Sequence, residues 1–171
     1  RFADDSVLHG HNFGNLFITA MTKITGDFER AVRASSKVLA IRGRVVPSTN
    51  MKVRLAAEHD DGSVTLGETK ISKSPVPIRR IYLEPTGCQP TADALAAIQE
   101  ANAIILGPGS LYTSIIPNLL IDKMVDGIVT SKALKLYICN VMTQSRETAG
   151  FKASDHVRAL VAHSSPGIIQ L

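Results

Sequence analysis

Tryptophan is absent from the 171 residues and aromatic side chains make up only 5% of them. The core must therefore be aliphatic, and the Val, Ile, Leu and Ala runs suit alternating α/β layers. Cysteine is almost as scarce. Cys88 and Cys139 stand far apart, outside any paired-cysteine metal spacing, which argues against a structural zinc and leaves free thiols as the expectation. No apolar run approaches the roughly 20 residues of a membrane span. No signal-peptide pattern opens the chain, so the expected address is cytoplasmic and a membrane partner is not expected. Acidic residues are missing from Arg30 to Arg54, a span that carries Arg33, Lys37, Arg42, Arg44 and Lys52 within a net charge of only +4. Such a stripe attracts phosphates or acidic partners. Aromatic residues do not interleave with it and much of it lies at helical spacing, so a solvated face explains it better than nucleic-acid binding does. With 44% hydrophobic residues and 20% charged ones, the chain has the make-up of one globular domain with a real core. It begins with Arg1 and not Met, which reads as a piece of something longer.

Hydrophobic periodicity organises the rest. Leu16, Phe17, Ala20, Met21 and Ile24 recur at helical spacing, and Gly26 is a natural stop. Asp27 is placed to cap a second helix with Phe28, Val32, Ser35, Ser36 and Leu39 along one face. Beyond Gly43 the period changes to two. Lys52 to Leu55 alternates, Asp60-Asp61-Gly62 supplies a turn, Ser63 to Leu66 alternates back, and Arg80 to Leu83 is a further strand, so residues 44–83 read as a β-rich antiparallel hairpin insertion. Thr91 opens a helix with Leu95 and Ile98 on its apolar side. The runs Ala103–Leu106 and Lys135–Cys139 read as buried strands, joined by a crossover long enough for a parallel pair. Pro117 starts a new helix or kink, and Ser154 is placed to cap a last helix with Val157, Leu160 and Val161 inward.

The chemistry concentrates where the first of these strands ends. Gly107 and Gly109 let the backbone turn sharply and approach a ligand, while Ser110, Thr113 and Ser114 bring hydroxyls to a helix start whose free N–H groups favour anions. This is the geometry of a phosphate cradle, although neither a Walker lysine nor a three-glycine dinucleotide fingerprint is present, and an ordinary strand-to-helix turn has the same spacing. Ligands of open α/β sheets sit outside the carboxyl ends of the strands. There the loop after Cys139 brings Asn140, Thr143, Gln144 and Glu147, side chains that read hydroxyls or a base edge, or simply build a turn. A third polar concentration is His9 to Asn15. His11 and Asn15 are placed to line a helix start facing an anion and Asn12 to cap it, or all three hold the loop. A third metal-type ligand is lacking nearby, so no metal is expected there.

The blocks HGHNFGN from His9, AMTKITGDFERAV from Ala20, IILGPGSLYTSIIPNLL from Ile104, YICNVMTQ from Tyr137, SRETAGF from Ser145 and SDHVRAL from Ser154 together resemble the bacterial gluconeogenesis factor family. That family is related to the 2-phospho-L-lactate transferases (CofD-like proteins) of deazaflavin coenzyme biosynthesis. The resemblance implies a single CofD-like α/β domain over residues 1–171, with a Rossmann-like three-layer parallel sheet carrying the 44–83 insertion. It implies a cytoplasmic, regulatory protein that binds UDP-sugars and supports cell shape and growth on gluconeogenic carbon. Carried over by position, the ligand cleft takes Gly107, Gly109, Ser110, Tyr112, Thr113 and Ser114, with His11, Asn12, Asn15, Asn140, Thr143 and Gln144. Relatives usually carry a Gly-Gly-Gly-Thr-Gly loop and an Asp-Asp-Gly-Gly segment upstream, so this chain reads as a central fragment, cut at both ends. The Asp pair that holds a metal would lie in that upstream part, which leaves Mg²⁺ to an intact protein. Ser145-Arg146 replaces the family's usual Pro-Gly and sets a cation near the cleft. Whether such a protein transfers a phosphorylated group from a nucleotide diphosphate adduct, or only binds one, stays open at this point, as do homo-oligomers and protein partners.

Overall fold

The computed structural model describes residues 12–169. The chain divides after Asn50 into two compact units. In the first, α1 (Phe13–Thr25) packs against α2 (Phe28–Val38). Local chemistry sets both helix ends. Asn12 caps α1 by accepting the Gly14 N–H at 2.7 Å, and Gly26, at φ 73°, ends it in the left-handed region. Asp27 caps α2 through the Arg30 N–H at 2.8 Å, as its sequence position predicts. Val32 and Ser35 face inward along α2, whereas Phe28 and Leu39 stay exposed.

The second unit opens with an antiparallel sheet of β1 (Arg54–His59), β2 (Val64–Leu66) and β3 (Ile78–Glu84) in the order β2-β1-β3. The β1–β2 turn is fixed by Gly62 at φ 80° and by Asp61, whose carboxylate accepts both the N–H and the hydroxyl of Ser63 and is held below its ordinary pKa by them. Buried His59 locks the sheet to the segment that follows. Its Nε2 meets Thr65 Oγ1 at 2.9 Å and its Nδ1 meets the Val76 carbonyl at 3.0 Å. A short helix α3 (Glu68–Ile71) comes between β2 and β3. Next comes α4 (Ala92–Glu100), capped by Thr91, and then β4 (Ala103–Leu106). The crossover holds α5 (Ile116–Leu119) and α6 (Met124–Thr130), and returns to β5 (Leu134–Tyr137), which pairs with β4 in parallel from Ala103↔Leu134 to Leu106↔Tyr137. Gly127 of α6 faces α4, where a Cβ would make ordinary contacts of 3.5 Å with Leu95 and 3.8 Å with Ile98.

The last helix, α7 (Ala153–Ala162), is bound to β3 through His163, whose Nε2 accepts the Ile81 N–H at 3.1 Å while Nδ1–H donates to the Ala159 carbonyl at 2.8 Å. Its start corrects the expected cap. Lys152 holds the cap position and Asp155 accepts the Lys152 N–H at 2.7 Å, leaving Ser154 exposed in the first turn. Leu160 and His156 point inward, with Val157 and Val161 half-buried.

The fold is mixed α/β, but the expected three-layer parallel sheet does not form among the described residues. Residues 54–84 form an antiparallel sheet, β1 joined to β2 by a tight turn and paired with β3 across the segment that holds β2 and α3, and among the described residues only β4 and β5 pair in parallel. The core is aliphatic as composition requires, with Ala56, Ala57, Ile71, Leu111, Ile116, Leu160 and Ile168 fully enclosed. The parallel pair departs from expectation in a second way. Ile105, Leu134 and Leu136 are 54%, 53% and 42% exposed, while Lys135 is buried, its Nζ donating to the Ser131 carbonyl at 2.7 Å. Parallel strands are normally covered on both faces, and among the described residues only one face is. No helix of the described residues is long and apolar enough to cross a membrane.

Tyr137 on β5 reports on this packing. Burial foremost, then the charge of Cys139, pushes its phenol up to about 12 from an ordinary 10.0. A raised phenol means that the native state favours the neutral form. The stabilisation is thus fully present below pH 10 and is lost as pH rises towards about 12. An alkaline absorbance titration should show Tyr137 ionising late among the three tyrosines, and Tyr137→Phe should remove that late phase.

Candidate functional site

The loops that leave β4 and β5 meet. Gly107 sits at φ 94°, and a Cβ there would lie 2.7 Å from the Ile138 carbonyl oxygen, so the passage of the chain just beyond β5 requires glycine. Gly109 is different: its φ is ordinary and a Cβ would make normal contacts of 3.6 Å with Ile115 and Ser114. What holds Gly109 is Asn140. The Asn140 amide donates to the Gly109 carbonyl at 2.8 Å and accepts the Gly109 N–H at 3.2 Å. Asn140→Ala would cut both ties and leave part-buried backbone groups unpaired, which costs about 1–3 kcal/mol. The expected outcome, read by amide hydrogen exchange, is faster exchange at Gly109 and a lower urea midpoint.

After Gly109 the chain makes a π-helical turn, Leu111–Ile115, that runs directly into α5 with Pro117 in its first turn, where a missing N–H costs nothing. Ser114 and Ile115 both donate to the Ser110 carbonyl at 3.0 Å. The amides ahead of them, at Leu111, Tyr112 and Thr113, meet no acceptor among the described residues. They are the orphan donors of a helix start. Leu111, Tyr112, Ile115, Ile116 and Leu119 are buried, so this segment is anchored by its apolar side chains.

The hydroxyls lead elsewhere. Ser110 Oγ lies 2.6 Å from Glu147 Oε2 and 2.9 Å from Gln144 Oε1, and Thr113 Oγ1 lies 2.8 Å from Ser110 Oγ and 3.2 Å from Glu147 Oε1. The turn that presents Glu147 is closed by Thr148, whose hydroxyl accepts the Gln144 N–H at 2.9 Å and whose own N–H donates to the Gln144 carbonyl at 2.9 Å. Glu147 is only 7% exposed. Gly109 and Asn140 thus come together, as do Ser110, Thr113 and Gln144, and Glu147 joins Ser110 and Thr113.

Other expected site residues fall differently. His11 lies outside the described residues. In the first unit, Asn12 spends its side chain on the α1 cap, and Asn15 is exposed and offers its carbonyl to Thr19 Oγ1 at 2.7 Å. Thr143 is exposed, and the Ser114 carbonyl accepts from Asn118 at 2.8 Å. The Tyr112 ring packs edge-on against Phe151 and His163, with centroids 6.4 and 5.9 Å away. Burial, then the charges of Asp60 and Glu147, raises its phenol pKa. Arg146 donates to the Lys73 carbonyl. Sequence placed Glu147 in the right turn but gave no sign that it meets hydroxyls 34 and 37 positions earlier. Among the described residues no group of three or more His, Cys, Asp or Glu side chains is assembled.

The family described as 2-phospho-L-lactate transferase CofD matches residues 1–171. The chain belongs to the CofD family. Among its relatives, the gluconeogenesis factor of Halalkalibacterium halodurans is 46% identical over 99% of this chain and 52% of its own length. The gluconeogenesis factor of Bacillus subtilis is 48% identical over 99% of this chain and 53% of its own. A crystal structure of a Bacillus halodurans protein superposes with a TM-score of 0.92 at 46% identity, over 99% of this chain and 55% of that one. The CofD-family chain therefore spans about half the length of the relatives it matches. In this CofD-family chain the glycine loop, the Asn140 tie and the Glu147 cluster all lie in its second unit.

Proposed function

We propose that the intact protein is a cytoplasmic regulatory protein that binds a nucleotide sugar, a UDP-sugar by family analogy, and supports growth and cell shape under gluconeogenic conditions. The observation that carries the binding reading is the row of N–H groups at Leu111, Tyr112 and Thr113, left without acceptors beyond a glycine loop that Asn140 holds in place. Oriented amides at a helix start suit a phosphate. Relatives named gluconeogenesis factors, at 46% and 48% identity, support the physiological reading. A helix start contributes about 0.3–2 kcal/mol to holding an anion, while micromolar affinity needs about 8 kcal/mol. Further contacts must therefore come from Thr143 and Gln144 or from other parts of the intact protein. The basic stretch from Arg30 to Arg54 offers an acidic protein partner a second contact.

The description of the matched family favours one other reading, a transferase that moves a phosphorylated group from a nucleotide diphosphate adduct. Calorimetry of the intact protein with UDP-sugars, with and without Mg²⁺, followed by product analysis separates the two. Saturable binding with the ligand recovered whole is the expected result; release of UMP or UDP would overturn the purely regulatory reading, and no binding would overturn the UDP-sugar reading.

A further inference from the structure

The second unit carries an open hollow of about 390 Å³, lined by Arg79 of β3, Arg158 and Ala159 of α7, Gly150 and Phe151 of the turn before α7, and Tyr112. Of the cleft residues carried over by position it includes only Tyr112. Two observations there point to a ligand. The first is the Tyr112 hydroxyl. The residue is 5% exposed, yet its hydroxyl makes no hydrogen bond among the described residues. Ser35 Oγ is the one side-chain polar atom of those residues that is both sealed from solvent and unpartnered, so the Tyr112 hydroxyl keeps an opening. Buried polar groups are generally hydrogen-bonded, and the hollow that Tyr112 lines is where its partner can enter.

The second observation is charge. Glu58 accepts Arg80 at 2.6 Å and Arg79 only at 3.3 Å, so one carboxylate serves two guanidiniums and Arg79 is the looser of them. Asp155, which also lines the hollow, is divided between the Lys152 N–H and Arg158. His163 adds no donor, because both its ring nitrogens are engaged with backbone. Arg79 and Arg158 remain 67% and 75% exposed, each with a single carboxylate partner among the described residues for a five-donor fork. We infer that this hollow binds a small oxyanion, a phosphate monoester or a dicarboxylate on a short carbon body. Guanidinium forks match the paired oxygens of phosphate and carboxylate, and a phenol hydroxyl donates to a further one. Gly150, Phe151 and Ala159 offer the carbon body an apolar surface. The volume lies near the low end of the roughly 300–1,000 Å³ of small-molecule sites, which suits a compact ligand. None of the orphan amides of the glycine loop is used, so the inference stands apart from the nucleotide reading.

The test is calorimetry of the intact protein with glycerol 3-phosphate and with succinate, two probes that separate a phosphate from a carboxylate ligand. Expected is saturable binding of at least one probe, weakened about tenfold or more by Arg158→Gln and by Arg79→Gln, as loss of a charged hydrogen bond requires. Tyr112→Phe, which removes a neutral one, should weaken it about threefold. Circular dichroism should stay native in all three, since Arg80 still holds Glu58 and the Lys152 N–H still holds Asp155. Binding of neither probe, or binding indifferent to all three substitutions, would overturn the inference. Titration of the same variants with UDP-sugars keeps the two readings apart. A parallel loss of UDP-sugar and probe would put both arginines in the nucleotide cleft and overturn the separate site. Arginine-dependent probe binding with no UDP-sugar binding leaves the hollow standing and removes only the nucleotide.

Discussion

Gly107→Ala should lower the urea midpoint more than any other single-methyl change in the glycine loop. Two independent costs meet there. The backbone, at φ 94°, lies where an L side chain is strained, which costs about 1–3 kcal/mol. The added Cβ would also stand 2.7 Å from the Ile138 carbonyl oxygen. Backbone cannot swing aside as a side chain can, because the Ile138 N–H is itself bonded to the Leu106 carbonyl at 2.9 Å, so overpacking adds about 1–3 kcal/mol more. Against a typical total stability of about 5–15 kcal/mol, this is a large fraction. Gly109→Ala makes the control. Its Cβ finds ordinary contacts at 3.6 Å and an unstrained φ, so stability should hold within about 0.5 kcal/mol. The affinity of that folded variant for UDP-sugars then reads the loop itself, and a bulkier residue at Gly109 should abolish binding. Unchanged affinity with the bulkier residue would remove this loop from the site.

The contrast between the two glycines shows where sequence reading stops. Features set by a few neighbouring residues were legible: the Gly26 stop, the Asp27 cap, the helix that opens at Thr91, the turn at Gly62, and the strands that became β4 and β5. The family was legible too, because GPGSLYTSIIPNLL is a specific string and the match covers the whole chain. Features set by distant partners were not. Nothing near Gly107 announces that the chain beyond β5 will pass where a Cβ would meet the Ile138 carbonyl oxygen at 2.7 Å. The alternation within 44–83 predicts antiparallel strands but not that they form a sheet separate from β4 and β5. The apolar runs of β4 and β5 predict two buried faces, yet burial depends on layers that a strand's own residues do not encode, and Ile105 and Leu134 stay more than half exposed. At α7 the helix starts at Ala153, which puts Ser154 inside the first turn, and Asp155, at the third helical position, reaches back to the Lys152 N–H. Glu147 is the clearest instance. A glutamate in a polar turn looks solvated, and only the return of that turn to Ser110 and Thr113 buries it.

Tyr112 tests how far motif position can stand for function. By position it belongs with the cleft residues, but its ring is 5% exposed and wedged between Phe151 and His163. Removing the ring with Tyr112→Ala should therefore cost about 3–5 kcal/mol, the range for deleting a buried aromatic side chain. It would loosen the anchored segment that carries the orphan amides, so any loss of ligand would follow loss of fold. Tyr112→Phe isolates the hydroxyl, which makes no hydrogen bond among the described residues. Nothing is then lost from packing, and the aromatic pairs with Phe151 and His163 survive. Its stability should stay within about 0.5 kcal/mol of the parent, and its affinity for UDP-sugars should stay within about twofold, since about 1.4 kcal/mol would be needed for a tenfold change. A tenfold loss in the folded Phe variant would mean that the hydroxyl reaches the ligand, and the side chain would then belong to the site and not to its foundation.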